Sequence, residues 1–379
     1  MFQHLVLSSV FNMTGTYNFT SPVYDPDLFL GRRALVSKIY ARIGAGRPQS
    51  VSIVGDAKIG KSSLLHYLLH ERIKGQMLTH PDDYIFLYIP CRTDNQLTLN
   101  TFTSTIFRMT REYSENSNNA NIQIEYNYFK HLVENLHKQN KKIILFLDDF
   151  NLITLNPAFP LEFFSFLRSL ANNFNLAYIT TSYEDLQKLC VSKDIEESPF
   201  FNIFTNMSLR GFEAAEIDPL FQNSIGGGSI DIKEEKDYLT ELVGMGPYPL
   251  QMACHFLHLI KKESGSFDLN VKEQFETILT DNLNAYHQAL WEHMDESYHS
   301  ILFKLAYGRQ IPSSQQYLLR DLSKKSYILN SNGGSQISSV LFKNFIRQMS
   351  GQQNDLDLQE MKVRRFFSRI KQIISNFKN

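Results

Sequence analysis

Ser52–Leu65 reads SIVGDAKIGKSSLL: a short apolar run ends at Gly55, a loop closes on Gly60, Lys61 and Ser62, and an apolar-periodic helix start follows. The loop fills G-x-x-x-x-G-K-[ST] completely. Its glycines let successive backbone N–H groups turn inward as an anion cradle, and the helix that follows adds its positive end. In this reading Lys61 reaches the β- and γ-phosphates of ATP or ADP, and the Ser62 hydroxyl ligates Mg²⁺. Asp56, Lys58 and Ser63 are the remaining nucleotide-binding positions. A chance glycine-rich turn is the alternative, and the strand before and helix after argue against it.

Working outward, apolar strand candidates alternate with helices. YIFLYIPC, KKIILFLDDF, NLAYITTS and FTNMSL read as strands; FLGRRALVSKIYARI, KSSLLHYLLHERI, YFKHLVENLHKQN and EFFSFLRSLANN read as helices. Such alternation means a parallel sheet covered on both faces. A phosphate loop after the first strand and an acidic strand end two strands later predict an α/β P-loop NTPase sheet of the additional-strand (AAA-like) type.

LFLDDF sets two acids at a buried strand end. Asp148 is the metal-side residue, and Asp149 stands where an acid polarises the attacking water. Solvated strand-end aspartates are the alternative. Asp is one methylene shorter than the usual Glu, and a misplacement of about 1 Å can lose about 10²-fold in rate. Thr181 and Ser182 end the fourth strand, where a hydroxyl could sense the γ-phosphate or simply cap the following turn. Arg210 approaches a phosphate or a neighbouring subunit's nucleotide, or is a solvated strand end, the favoured reading.

The composition, 43% hydrophobic and 20% charged with a net charge of −1, is that of a globular chain without a global field for nucleic acid or anionic membrane. Cys91, Cys190 and Cys254 lie far apart without metal-ligand spacing and read as reduced thiols. MFQHLVLSSVF lacks a basic leader, and no window reaches the roughly 18 apolar residues of a membrane span, so the expected location is cytoplasmic.

Beyond residue 211 the pattern turns helical: GFEAAEIDPLFQ, IKEEKDYLTELVG and PYPLQMACHFLHLIKKE, then helices around AYHQALWEHM, ESYHSILFKLAYG and SSQQYLLRDLSKK, then two β-like runs in SYILNSNGGSQISS. Three helices plus a hairpin predict a winged helix. The expected domains are an irregular lead-in (1–27), the ATPase core (28–211), a helical lid (212–281), a winged-helix domain (282–350) and a basic amphipathic helix (351–379).

FLGRRALVSKI, GDAKIGKSSLL, LFLDDF, SPFFNIF and GMGPYPLQMA, in that order over about residues 28–350, resemble a bacterial AAA-like ATPase of the STAND group. The resemblance implies that Gly31 and Arg32 pack near the adenine, and that Pro247 contacts the nucleotide and links its occupancy to the winged helix. Gly246 stands where histidine is frequent in that group, and Ser182 where arginine is frequent, which points toward slow turnover.

The tail MKVRRFFSRIKQIISNFKN carries six Lys/Arg and no acid, with one broad apolar face. It would close a domain, clamp a partner, lie on an anionic membrane or contact nucleic acid. The reading reached is a slow, Mg²⁺-dependent ATPase acting as a nucleotide-controlled switch through a protein partner, with a nucleotide-dependent homo-oligomer compatible. A DNA-associated ATPase, less favoured on charge, and a non-hydrolysing scaffold are the alternatives.

Overall fold

The computed structural model describes residues 17–92, 98–110, 126–221, 231–265, 267–331 and 334–349. The basic tail at 351–379, the first part of the lead-in and the glycine-rich loop near 225 lie outside the described residues. The chain forms two compact units, Met1–Asp231 and Ile232–Asn379.

The first unit is built on five parallel strands, β1 Ser50–Val54, β2 Tyr84–Pro90, β3 Lys142–Asp148, β4 Leu176–Ser182 and β5 Phe204–Ser208, in the order β2-β3-β4-β1-β5. The extra strand, β4, stands between the phosphate-loop strand and the acidic strand, as the order of motifs predicts. Strand β3 shows why an unbroken apolar run is required. Ile143, Leu145 and Leu147 enter one core, while Ile144 and Phe146 enter the core on the opposite face.

The first core is covered by α4 (Leu99–Thr110), α5 (Tyr126–Lys138) and α7 (Leu161–Asn173). It is aromatic-rich, with Phe102, Phe159, Phe163, Phe164 and Phe200 fully buried. The second core is covered by α1 (Arg33–Ile43), α2 (Lys61–Leu69) and α3 (Glu71–Met77), which contribute Ile39, Leu64, Leu65, Leu68 and Ile73. A short α6 (Asn151–Thr154) follows β3, and α8 (Lys193–Glu196) precedes β5.

KSSLLHYLLHERI is two helices where one was expected. His70 adopts extended backbone (φ −66°, ψ 128°), and its ring nitrogen accepts from the Arg72 N–H, so it ends α2 and caps α3. GFEAAEIDPLFQ likewise breaks into a 3₁₀ turn at Ala214–Glu216 and a short α9 (Asp218–Phe221). Glu213 and Glu216 satisfy each other's backbone N–H groups in a capping box, and Pro219 follows at once.

The described part of the lead-in, from Tyr17, has no regular element and is tied down. Tyr17 is buried and donates to the Leu220 carbonyl, Val23 N–H donates to Ser63 Oγ at 3.0 Å, and Phe29 stacks on Tyr67 at 4.3 Å. The last two contacts lay residues 23–29 along α2.

The second unit holds α10 (Lys236–Val243), α11 (Pro247–Ser264), α12 (Leu269–Glu292), α13 (Glu296–Ala306), α14 (Gln316–Lys324), the hairpin β6 (Ile328–Ser331) and β7 (Gly334–Ile337), and α15 (340–349). Helix α12 starts at an Asp268 cap and runs 24 residues without a break, through position 281. Its end packs Leu290 and Trp291 with Ile301, Leu319, Leu322, Ile328, Phe342 and Phe345 in one core.

Candidate nucleotide site

The phosphate loop is shaped by left-handed backbone at Lys58 (φ 61°) and Gly60 (φ 97°), the latter a conformation that glycine takes without strain. Gly55 is held to its size by packing: a Cβ there would lie 2.7 Å from the Leu209 carbonyl and 2.9 Å from Ile59. Helix α2 opens directly at Lys61 and no side chain caps its start, so its first-turn N–H groups are left to an outside acceptor. The Lys61 ammonium is folded over the loop and donates to the carbonyls of Gly55 at 2.8 Å and Asp56 at 2.9 Å. Burial lowers its pKa; the negative charges of Asp149, Asp56 and Asp148 oppose that shift.

The end of β4 fastens the loop to the acids. Gly55 N–H donates to the Ser182 carbonyl at 3.1 Å, and Phe150 N–H donates to the Thr181 carbonyl at 2.9 Å. The Thr181 hydroxyl donates to Asp148 Oδ1 at 2.6 Å and accepts from the Asp149 N–H at 2.8 Å. One side chain thus holds the Asp148 carboxylate and the Asp149 backbone. The Ser182 hydroxyl turns instead to the Glu184 carbonyl at 2.6 Å, where it closes the following turn. Asp148 is buried and also accepts from the Tyr88 hydroxyl at 3.0 Å. Asp149 sits at φ 55°, a left-handed conformation that Asp tolerates better than most residues, and turns the chain into α6.

Three partners in this region were not legible beforehand. Arg92, just past β2, donates to Asp149 Oδ2 at 3.0 Å while remaining largely exposed. Tyr88 reaches Asp148 because the parallel register sets Pro90 opposite Asp148. Glu216 faces Gly31 and Arg32. The sequence signal for the first two was their place at the carboxyl end of a parallel strand, where ligands of such sheets collect.

Gly31 and Arg32 form a second cluster. Both have positive φ, and a Cβ on Gly31 would lie 2.7 Å from the Glu216 carboxyl. Glu216 accepts from the Arg32 N–H and lies 4.0 Å from its guanidinium. That guanidinium is buried, donates to the Gly211 carbonyl at 3.0 Å and lies over the Phe212 ring. Burial lowers its pKa to about 10, with the Glu216 charge opposing. Arg210 is exposed. Pro247 belongs to the second unit, where it is the first residue of α11 and buried.

An oxygen-only donor set, the Ser62 hydroxyl and the Asp148 carboxylate, fits a hard divalent cation such as Mg²⁺. Among the described residues no group of three or more His, Cys, Asp or Glu forms a separate metal site, and no helix is long and apolar enough to cross a membrane.

No curated protein matches the sequence. Among solved structures, the chain is similar to a Walker-type ATPase of Pyrococcus abyssi, with 16% identity over 88% of this chain and 100% of that one and a TM-score of 0.56. It is also similar to the ORC2 protein of Aeropyrum pernix, solved in ADPNP and ADP complexes, with 13% identity, 89% and 98% coverage and a TM-score of 0.55. At such identities the likeness shows the fold, that of a P-loop ATPase. The family model described as novel STAND NTPase 2 matches residues 45–311, and the chain belongs to that family of P-loop NTPases.

Proposed function

We propose that this NTPase binds MgATP in the Gly55–Ser63 cradle, hydrolyses it slowly, and acts as a nucleotide-controlled switch through protein contacts. The observation that carries the reading is the Thr181 hydroxyl held between Asp148 and Asp149 on the strand that also pins Gly55. It joins Gly55, the buried Asp148 carboxylate and the Asp149 backbone at the carboxyl ends of the adjacent strands β1, β4 and β3, which supports the reading. That the ORC2 protein of similar fold binds ADPNP and ADP supports the choice of nucleotide.

In this reading the α2 N–H groups and Lys61 bind the phosphates, Lys61 exchanging the Gly55 and Asp56 carbonyls for phosphate oxygens. Ser62 and Asp148 would hold Mg²⁺, which supplies neutralisation of charge on the transferring phosphoryl group. Asp149 accepts the proton of the attacking water once it leaves Arg92. Thr181 reports on the nucleotide through the two acids that its hydroxyl holds. The Gly31–Arg32–Glu216 cluster ties the start of α1 to the segment that follows β5, and in this reading nucleotide occupancy is read by the helical lid (212–281), by Pro247 and by the winged helix (282–350).

Phosphate release by wild type and Asp149→Asn tests the proposal. Slow release that Asp149→Asn abolishes, with ATP still bound, is expected. Release no faster than in buffer makes the chain a nucleotide-holding scaffold, and release unchanged by Asp149→Asn removes Asp149 from the chemistry.

A further inference from the structure

Both oxygens of Asp148 are already engaged by hydroxyl donors: Oδ1 by Thr181 at 2.6 Å and Oδ2 by Tyr88 at 3.0 Å. A carboxylate held at both ends cannot rotate, and its remaining lone pairs point in fixed directions. Tyr88 is the fifth residue of β2, and with Tyr84 and Phe86 it faces the α2 side of the sheet. Its ring does not hang free. His66 of α2 packs against it with centroids 4.8 Å apart, and Tyr24 of the lead-in covers His66 at 4.4 Å. His66 follows Ser62 by four residues, so the two share one face of α2. Tyr24 is itself more than half exposed, and its neighbour Val23 is bonded to Ser63.

We infer that Tyr88 is a positioning residue for the divalent cation, acting through Asp148, and that Tyr24 and His66 brace it, so that the lead-in sets how tightly the cation is held. The inference rests on the MgATP reading above. A hydrogen-bond partner of a metal-binding carboxylate aligns its lone pairs before the ion arrives, and losing such a partner typically weakens metal binding by about 10–100-fold. An aromatic ladder suits the bracing task because flat rings order at low entropy and packing alone fixes the phenol's direction.

The test uses the full chain and a fluorescent ATP analogue titrated in excess Mg²⁺ and, separately, in EDTA. The ratio of the two affinities reads the cation's contribution alone. Tyr88→Phe deletes one oxygen and keeps the ring stack; the ratio is expected to fall about tenfold with the EDTA affinity unchanged. Tyr24→Ala, on an exposed side chain, is expected to lower the ratio about two- to threefold in the same Mg²⁺-selective way. An unchanged ratio in Tyr88→Phe, or equal losses in Mg²⁺ and EDTA, overturns the positioning role. An unchanged ratio in Tyr24→Ala overturns the bracing by the lead-in. A wild-type protein whose nucleotide affinity ignores Mg²⁺ overturns the MgATP reading itself, an outcome distinct from both.

Discussion

Replacing Thr181 by valine removes one oxygen and almost no volume, yet it strikes two groups at once. The hydroxyl gives Asp148 a hydrogen bond at 2.6 Å and takes the Asp149 N–H at 2.8 Å. A hydrogen bond to a charged group contributes about 1.5–3 kcal/mol, and a buried amide left unpaired costs about 1–3 kcal/mol. Tyr88 still serves Asp148, and Asp149 lies near solvent, so the sum is discounted to about 3 kcal/mol. For a unit of this size that corresponds to a fall of about 6–12 °C in the melting transition of the sheet-bearing unit. Thr181→Ser, which keeps the hydroxyl and loses a methyl, should cost only about 1 kcal/mol. Thermal unfolding of the three proteins, followed by circular dichroism and by loss of nucleotide binding, gives the comparison. A Thr181→Val protein within about 0.5 kcal/mol of wild type, or one no worse than Thr181→Ser, would refute the argument that this hydroxyl organises the acids.

Arg92→Ala should leave stability almost unchanged, because an exposed ion pair contributes about 0.2–1 kcal/mol. Releasing Asp149 by that amount should raise basal phosphate release about two- to fivefold, measured at saturating ATP; a fall instead would make Arg92 part of the chemistry. Gly31→Ala meets both a left-handed backbone and the Glu216 carboxyl, and should destabilise the first unit by at least about 1–2 kcal/mol in urea unfolding. His287, buried against Phe342 and Phe345, has its pKa lowered by burial from 6.5 to about 4. The unfolded chain therefore takes up a proton between those values while the folded unit does not. Stability of the second unit should fall by about 3 kcal/mol as pH drops from 7 to 4, and recover as pH rises. His287→Leu should flatten that limb of a urea-midpoint profile taken against pH.

Much of the sheet was legible because a parallel strand buried on both faces leaves an unbroken apolar signature, as KIILFLD does in β3. The order of phosphate loop and acidic strand then left little freedom for β4 except between them. Local contests were less legible. LLHERI has helical periodicity on both sides of His70, and only the cap it provides for α3 shows that the chain turns there. The break at 214–221 depends on two glutamates whose capping box competes with helix propensity. At the site, Gly55, Lys61, Ser62 and Asp148 announce themselves through a fixed spacing or a strand end. Arg92 and Tyr88 do not: their partners lie 57 and 60 residues away, and only the β2–β3 register brings them together. Glu216, 184 residues from Arg32, is the extreme case. Thr181 was visible as a strand-end hydroxyl, but its choice of Asp148 and the Asp149 N–H belongs to tertiary structure.

The central claim, a nucleotide held by this phosphate loop with its cation on Ser62 and Asp148, is tested most directly by calorimetric titration of ATP into wild type and Lys61→Ala with Mg²⁺ present. The account predicts saturable binding at one site in wild type and a loss of at least about 100-fold in Lys61→Ala, since the ammonium would make charge-assisted bonds to phosphate that nothing else in the loop replaces. Equal affinities in the two proteins, or no binding heat in wild type at millimolar ATP, would contradict it.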